Sequence, residues 1–192
     1  MGKIICIFFI LFGIVPCQGQ GIVGRKVPEF SGYMLDGNII NQTVLAHKLV
    51  LMNFMFIGCK GCMEELPQLS KINEMFQSAQ FMVVSIIGNA IDDIKSYQGI
   101  GDTTKFFYAI GKELKYGRIK NLIIAECKNI NKRAMFGEIL TCTDNISKAF
   151  KINSYPTNLL IDKDGIIVKK YSNLLIEKDF EDLVSEIETR LK

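Results

Sequence analysis

The stretch Leu49–Phe56 (LVLMNFMF) carries a single polar side chain, Asn53, and soon after it Cys59 and Cys62 open a segment in which Leu66, Leu69, Ile72 and Phe76 recur at intervals of three and four. A short, almost continuous apolar run is a strand covered on both faces. The three–four spacing, with Glu64, Glu65, Lys71 and Glu74 filling the other positions, is an amphipathic helix. A second apolar run, Phe81–Ile87, follows. Strand, helix, strand in that order is a right-handed crossover joining parallel strands. The chain is thereby restricted to an α/β architecture with helices on both faces of its sheet. Pro67 lies inside the helix, where it removes one backbone donor and favours a bend.

The rest of the chain fits around that unit. Val27–Phe30 reads as a lead-in segment before a small hairpin turning at Asp36-Gly37. Downstream, the pattern suggests a short helix over 144–150, a strand at Thr157–Ile161, a tight turn at Asp162–Gly165 and a strand at Ile166–Tyr171. Ile176, Phe180, Leu183, Ile187 and Leu191 mark one face of a closing helix. The interval between Ile87 and Thr157 is far longer than a crossover needs, which implies an insertion at about 99–141. Within it, Asp102 is a candidate cap for a helix running to Gly117 with Phe107, Ile110 and Leu114 inward, and Leu122–Ala125 and Glu138–Thr141 are weaker strand candidates. No repeat or linker divides the chain, so 20–192 is read as one domain.

At 192 residues with 48% hydrophobic and 22% charged, the sequence has the length and apolar content for a single core. Its 23 Lys+Arg against 20 Asp+Glu form no basic cluster, so nucleic acid is not expected as a partner. One histidine leaves little for metal or imidazole chemistry, and neither a metal nor a cofactor is expected. The six cysteines direct attention to sulfur.

Lys3 precedes an apolar run, Ile4–Val15, which is shorter than the roughly 20 residues of a membrane span. It has the dimensions of an export signal, read here as 1–19 with cleavage near Gly19. Lipid attachment at Cys17 and retention as an anchor stay open alternatives. The expected location is extracytoplasmic, in the first instance the periplasm. There Cys59, Cys62, Cys127 and Cys142 would meet a compartment in which disulfides persist.

Cys59-Lys60-Gly61-Cys62 spans the junction of strand and helix. Two intervening residues in a first helical turn bring the sulfurs within bonding reach, and the turn's free N–H groups face the first of them. The positive end of the helix favours a thiolate there, and Lys60 adds to the effect. Cys59 is therefore the candidate nucleophile and Cys62, a turn deeper, the resolving thiol. A purely structural disulfide would close only a small ring. A zinc site would need two further ligands, and His47, Cys127 and Cys142 are not grouped to supply them.

Phe56-Ile57-Gly58-Cys59-Lys60-Gly61-Cys62-Met63-Glu64-Glu65-Leu66-Pro67, followed much later by Tyr155-Pro156-Thr157, resembles the thioredoxin superfamily. The closer similarity is to its exported TlpA/ResA-like branch, related to the AhpC/TSA redoxins, through Val27–Phe30, the Asp36-Gly37 turn, Lys48 and Ile161–Gly165. The resemblance implies a thioredoxin-like fold: a central mixed sheet flanked by helices, an N-terminal hairpin, and an insertion before the strand that follows a cis proline. It further implies an exported thiol–disulfide oxidoreductase, acting as a reductase on protein dithiol or disulfide clients and served by a membrane-bound electron donor or acceptor. Pro156 matches the family's cis proline, Tyr155 would lean over the sulfurs, Gly61 completes the motif, and Glu65 matches an acidic residue near the site. Asn53 stands where cytosolic thioredoxins carry an aspartate, removing one proton shuttle, and the tryptophan usual beside the first cysteine is missing.

Cys127 and Cys142 have no family counterpart; a structural bridge, two free thiols and a second redox pair are all open. Two other functions compete with the oxidoreductase. One is a redox-inert binding module on the same fold. The other is a peroxiredoxin-type peroxidase, disfavoured because Phe56 and Met52 occupy positions where that chemistry uses a hydroxyl residue and a proline.

Overall fold

A computed structural model describes residues 21–109, 111–114, 117–128 and 146–192. The expected signal at 1–19, the strand candidate Glu138–Thr141 and Cys142 lie outside the described residues. Among the described residues, a seven-stranded mixed sheet organises the fold. Its strands are β1 (Ser31–Tyr33), β2 (Ile39–Asn41), β3 (Leu49–Met55), β4 (Phe81–Ala90), β7 (Leu122–Cys127), β8 (Thr157–Ile161) and β9 (Ile167–Ser172), in the spatial order β2-β1-β7-β4-β3-β8-β9. β3, β4 and β7 run parallel, whereas β8, β9, β1 and β2 join antiparallel to their neighbours. The fold is thioredoxin-like, with the expected N-terminal hairpin in β1 and β2.

Every residue of β3 is buried, as the apolar run requires of a central strand. Its alternation splits the core. Val50, Met52 and Phe54 face Leu45, Ile124, Ile146 and Phe150, while Leu49 and Leu51 face Leu69, Ile72, Leu183 and Ile187. The second set comes from α1 (Lys60–Met75) and α4 (Glu177–Leu191), and Ile146 from the short helix α3 (Ile146–Ala149). Phe150 belongs to the first cluster, with its ring 5.2 Å from Phe54 and 5.8 Å from Phe30. In α1 the buried positions Cys62, Glu65, Leu69 and Ile72 keep the three–four spacing, and the helix runs on through Pro67.

The region between β4 and β8 departs from expectation in two ways. First, Leu122–Cys127 belongs to the central sheet, paired with β4 from Val84↔Leu122 to Ile87↔Ala125 and with β1 at Tyr33↔Ala125. The insertion is therefore not one block over 99–141. Ile123, Ile124 and Ala125 are buried, and burial on both faces explains why so short an apolar segment forms a strand. Second, the described residues between Asp102 and Gly117 form no helix. A short helix α2 (Ile91–Tyr97), not anticipated, is followed by a hairpin of β5 (Phe107–Ala109) and β6 (Lys112–Leu114). Asp102 Oδ1 accepts from the Thr104 amide and hydroxyl at 3.0 and 2.7 Å, a local turn where a helix cap was expected. Phe107 and Leu114 sit opposite one another across the hairpin, and Phe107 packs on the Tyr97 ring at 5.9 Å; Ile110 lies outside the described residues.

Candidate active site

β3 delivers the chain to the end of the sheet, where the Ile57 amide donates to Asn89 Oδ1 at 2.8 Å and Gly58 turns the backbone at φ 103. The turn needs glycine for a second reason. A Cβ there would lie 2.9 Å from the Tyr108 carbonyl oxygen of the β5–β6 hairpin. Cys59 then caps α1: its Sγ accepts from the Cys62 amide at 3.2 Å and its carbonyl from the Met63 amide at 3.1 Å. A disulfide joins Cys59 to Cys62, with the Cα atoms 5.2 Å apart. The two sulfurs differ in access. Cys59 is half-buried, whereas Cys62 is 1% exposed.

The Tyr155–Pro156 bond is cis, and Pro156 Cδ would stand 3.3 Å from a Cβ on Gly61, so the proline ring closes directly over the motif's glycine. Tyr155, half-buried, meets Phe56 edge to face at 5.3 Å. Lys60 turns outward and pairs with Glu64 at 3.6 Å, both side chains about half exposed. An exposed pair of this kind contributes little and leaves less of the lysine charge for the sulfur.

Glu65, next on the buried face of α1 after Cys62, is 0% exposed. Asn53 Nδ2 donates to its Oε2 at 2.9 Å, Asn158 Nδ2 to Oε1 at 2.9 Å, and the Leu175 amide to Oε1 at 3.0 Å. Asn53 Nδ2 also donates to Asn158 Oδ1 at 2.9 Å. Burial pushes the Glu65 carboxyl up from 4.5 to about 7, and the three donors only partly offset it. A carboxyl at that value can take up and release a proton near neutral pH. Asn53 thus holds, by a hydrogen bond, a buried carboxyl that comes from the helix.

Residues 23–116 match the AhpC/TSA family. That match spans just under half of the chain and marks it as similar to the AhpC/TSA family. Over 158 residues it is 22% identical to the thioredoxin-like protein YneN of Bacillus subtilis (strain 168), covering 82% of this chain and 76% of that protein. It is also 22% identical over 166 residues to the thiol-disulfide oxidoreductase ResA of Bacillus thuringiensis subsp. konkukian (strain 97-27), covering 86% of this chain and 78% of ResA. Among solved structures, a protein of Chlorobium tepidum provisionally named as the thiol:disulfide interchange protein DsbE superposes with a TM-score of 0.63 at 16% identity, covering 88% of this chain and 98% of that one. With its Cys59–Cys62 pair in place, this thioredoxin-like chain is a thiol–disulfide oxidoreductase.

Of the site residues expected from sequence, the AhpC/TSA-like fold brings together Cys59, Gly61, Cys62, Glu65, Tyr155 and Pro156, while Lys60 points away. Cys127 ends β7 and is itself disulfide-bonded; Cys142, its suggested partner, lies outside the described residues. Asn158, the Leu175 amide and Asn89 were not anticipated. Asn53 and Asn158 had a readable signal: each is a polar side chain in an otherwise apolar strand, and such a residue needs a buried partner.

Proposed function

We propose that the chain is an exported thiol–disulfide oxidoreductase that reduces disulfides in protein clients. In the reduced form, the Cys59 thiolate attacks a client disulfide, forming a mixed disulfide and releasing one client sulfur as a thiolate. Cys62 then loses its proton to Glu65 and attacks Cys59 Sγ. The Cys59–Cys62 disulfide forms, the second client sulfur leaves, and both client sulfurs end as thiols; the two electrons come from the dithiol. A membrane-bound donor restores the dithiol. Pro156 and Tyr155 frame the client.

One observation carries this reading: a half-exposed Cys59 caps a helix while its buried partner precedes a buried carboxyl poised near pH 7. The asymmetry supports attack by Cys59 and resolution by Cys62. The names of the relatives, ResA among them, support the activity, and the apolar run near the N-terminus supports export. The deciding experiment is the reduction potential of the Cys59/Cys62 couple in a glutathione redox titration. A value well below about −200 mV supports the reductase, and one near about −120 mV makes the protein an oxidant.

A further inference from the structure

The β5–β6 hairpin stands against the active site. Its Tyr108 carbonyl oxygen lies so close to Gly58 that a Cβ there would meet it at 2.9 Å, and Gly58 immediately precedes Cys59. Further along the motif, Pro156 closes over Gly61. In the chain, Cys59 thus lies between a contact with the hairpin and a contact with the cis proline. Phe107 packs inward, onto the Tyr97 ring at 5.9 Å and against the cluster that contains Cys62. Strand alternation sends Tyr108 to the other face. Phe106 and Tyr108, on either side of Phe107, are 66% and 63% exposed, and among the described residues they are the only aromatics so exposed. The hairpin is fastened at both ends. Lys105 pairs with Asp93 of α2 at 2.6 Å before β5, and after β6 the Gly117 amide donates to the Tyr97 carbonyl at 3.0 Å.

We infer that this hairpin is a client-selecting lip, with Phe106 and Tyr108 as specificity-determining residues for a polypeptide whose disulfide is flanked by aromatic or aliphatic side chains. The inference deepens the proposed function and rests on Cys59 exchanging with protein clients. A client sulfur must come within bonding distance of Cys59 Sγ, so its neighbours in the client settle on the surface around Gly58, where the lip begins. Two exposed aromatics there offer apolar area that a matching client side chain would cover. Rings on an anchored hairpin are held in place before the client arrives, so little freedom is lost on binding. Aromatic anchors of this kind supply much of the energy at protein interfaces. Selection therefore falls on the side chains beside the client's disulfide and not on its sulfurs.

The test compares two synthetic peptides, each closed by one intramolecular disulfide, the first with Phe and Leu beside its cysteines and the second with Ser and Gly there. The full protein, reduced beforehand, supplies both electrons. Acid-quenched samples give the second-order rate constant for each peptide, divided by that of the same peptide with dithiothreitol to remove its intrinsic reactivity. Wild type is expected to prefer the apolar peptide about tenfold, the effect of one good anchor. F106A and Y108A each lower the preference about threefold, and the double variant abolishes it. Y108F, which keeps the ring, retains it. Equal rates for the two peptides in wild type, or a preference untouched in the double variant, overturn the lip and leave the proposed function standing. A reduced wild-type protein inert towards both peptides overturns the proposed function, and this inference with it. Sedimentation velocity addresses the other occupant: a wild-type dimer that F106A/Y108A disperses makes the hairpin a contact between copies of this chain and overturns the client assignment. Should the double variant fail to fold, the two single variants decide the matter.

Discussion

Replacing Glu65 by Gln isolates the electrostatic cost of the buried carboxylate. The carboxyl is raised from 4.5 to about 7, so between those values the folded protein holds a proton that the unfolded chain has released. Stability from this group is complete below about pH 4.5 and is lost as the pH rises through about 7. At roughly 1.4 kcal/mol per pH unit, the shift is worth about 3 kcal/mol. A glutamine cannot ionise and keeps its stability across the range. The substitution also turns an amide nitrogen towards Asn53 Nδ2 or Asn158 Nδ2, both donors, which adds a penalty independent of pH. Asn53 Oδ1, buried without a partner among the described residues, can accept from it if the Asn53 amide rotates. The informative quantity is therefore the slope. Guanidinium unfolding of the oxidised protein, wild type and E65Q, at intervals from pH 4 to pH 8 should show wild type losing about 3 kcal/mol relative to the variant. A difference that stays flat, or that grows in favour of wild type as the pH rises, would refute the assignment of a raised carboxyl to Glu65.

Three further outcomes are expected. C62S should trap disulfide clients covalently on Cys59, visible as adducts on non-reducing gels that dithiothreitol removes; C59S should trap none. F150A, which empties the site between Phe30 and Phe54, should lower unfolding free energy by about 3–5 kcal/mol in urea melts, and a loss under about 1 kcal/mol would mean that this cluster repacks freely. G58A forces a side chain into φ 103 against the Tyr108 carbonyl. It should cost roughly 1–3 kcal/mol by the same assay, and a variant as stable as wild type would show that the hairpin yields at no cost.

What could be read from the sequence follows the range of the forces involved. β3, α1 and β4 form a local crossover whose apolar periodicities are strong, so strand, helix and strand were legible without a partner in view. β8, β9 and α4 were legible for the same reason, the Asp162–Gly165 turn marking the hairpin. The stretch 102–117 was not. Phe107, Ile110 and Leu114 have helical spacing, yet Phe107 and Leu114 also oppose one another across a tight hairpin, and periodicity cannot separate those readings over so few residues. What separates them is the Asp102–Thr104 turn and the contact of Phe107 with Tyr97, and the second exists only after folding. β7 was undervalued because a strand acquires its partners from β4 and β1, both distant in sequence.

The candidate site divides along the same line. Cys59 and Cys62 are neighbours in sequence, so their geometry follows from one helical turn. The groups that set the site's proton affinity and hold its walls come from remote elements. Asn53 lies opposite Asn158 in the β3–β8 register, and both reach Glu65 on α1; Leu175 reaches the same carboxylate from the loop before α4. Glu126 on β7 accepts from the Ser147 amide of α3. Asn53, Asn158 and Glu126 share one feature visible beforehand: each interrupts an apolar strand with a group that is costly to bury alone. Apolar positions report where the core is, and these interruptions report where the core has been given up for chemistry. In this fold Asn53 and Asn158 meet Glu65 on the α1 side of the sheet, and Glu126 meets Ser147 on the α3 side.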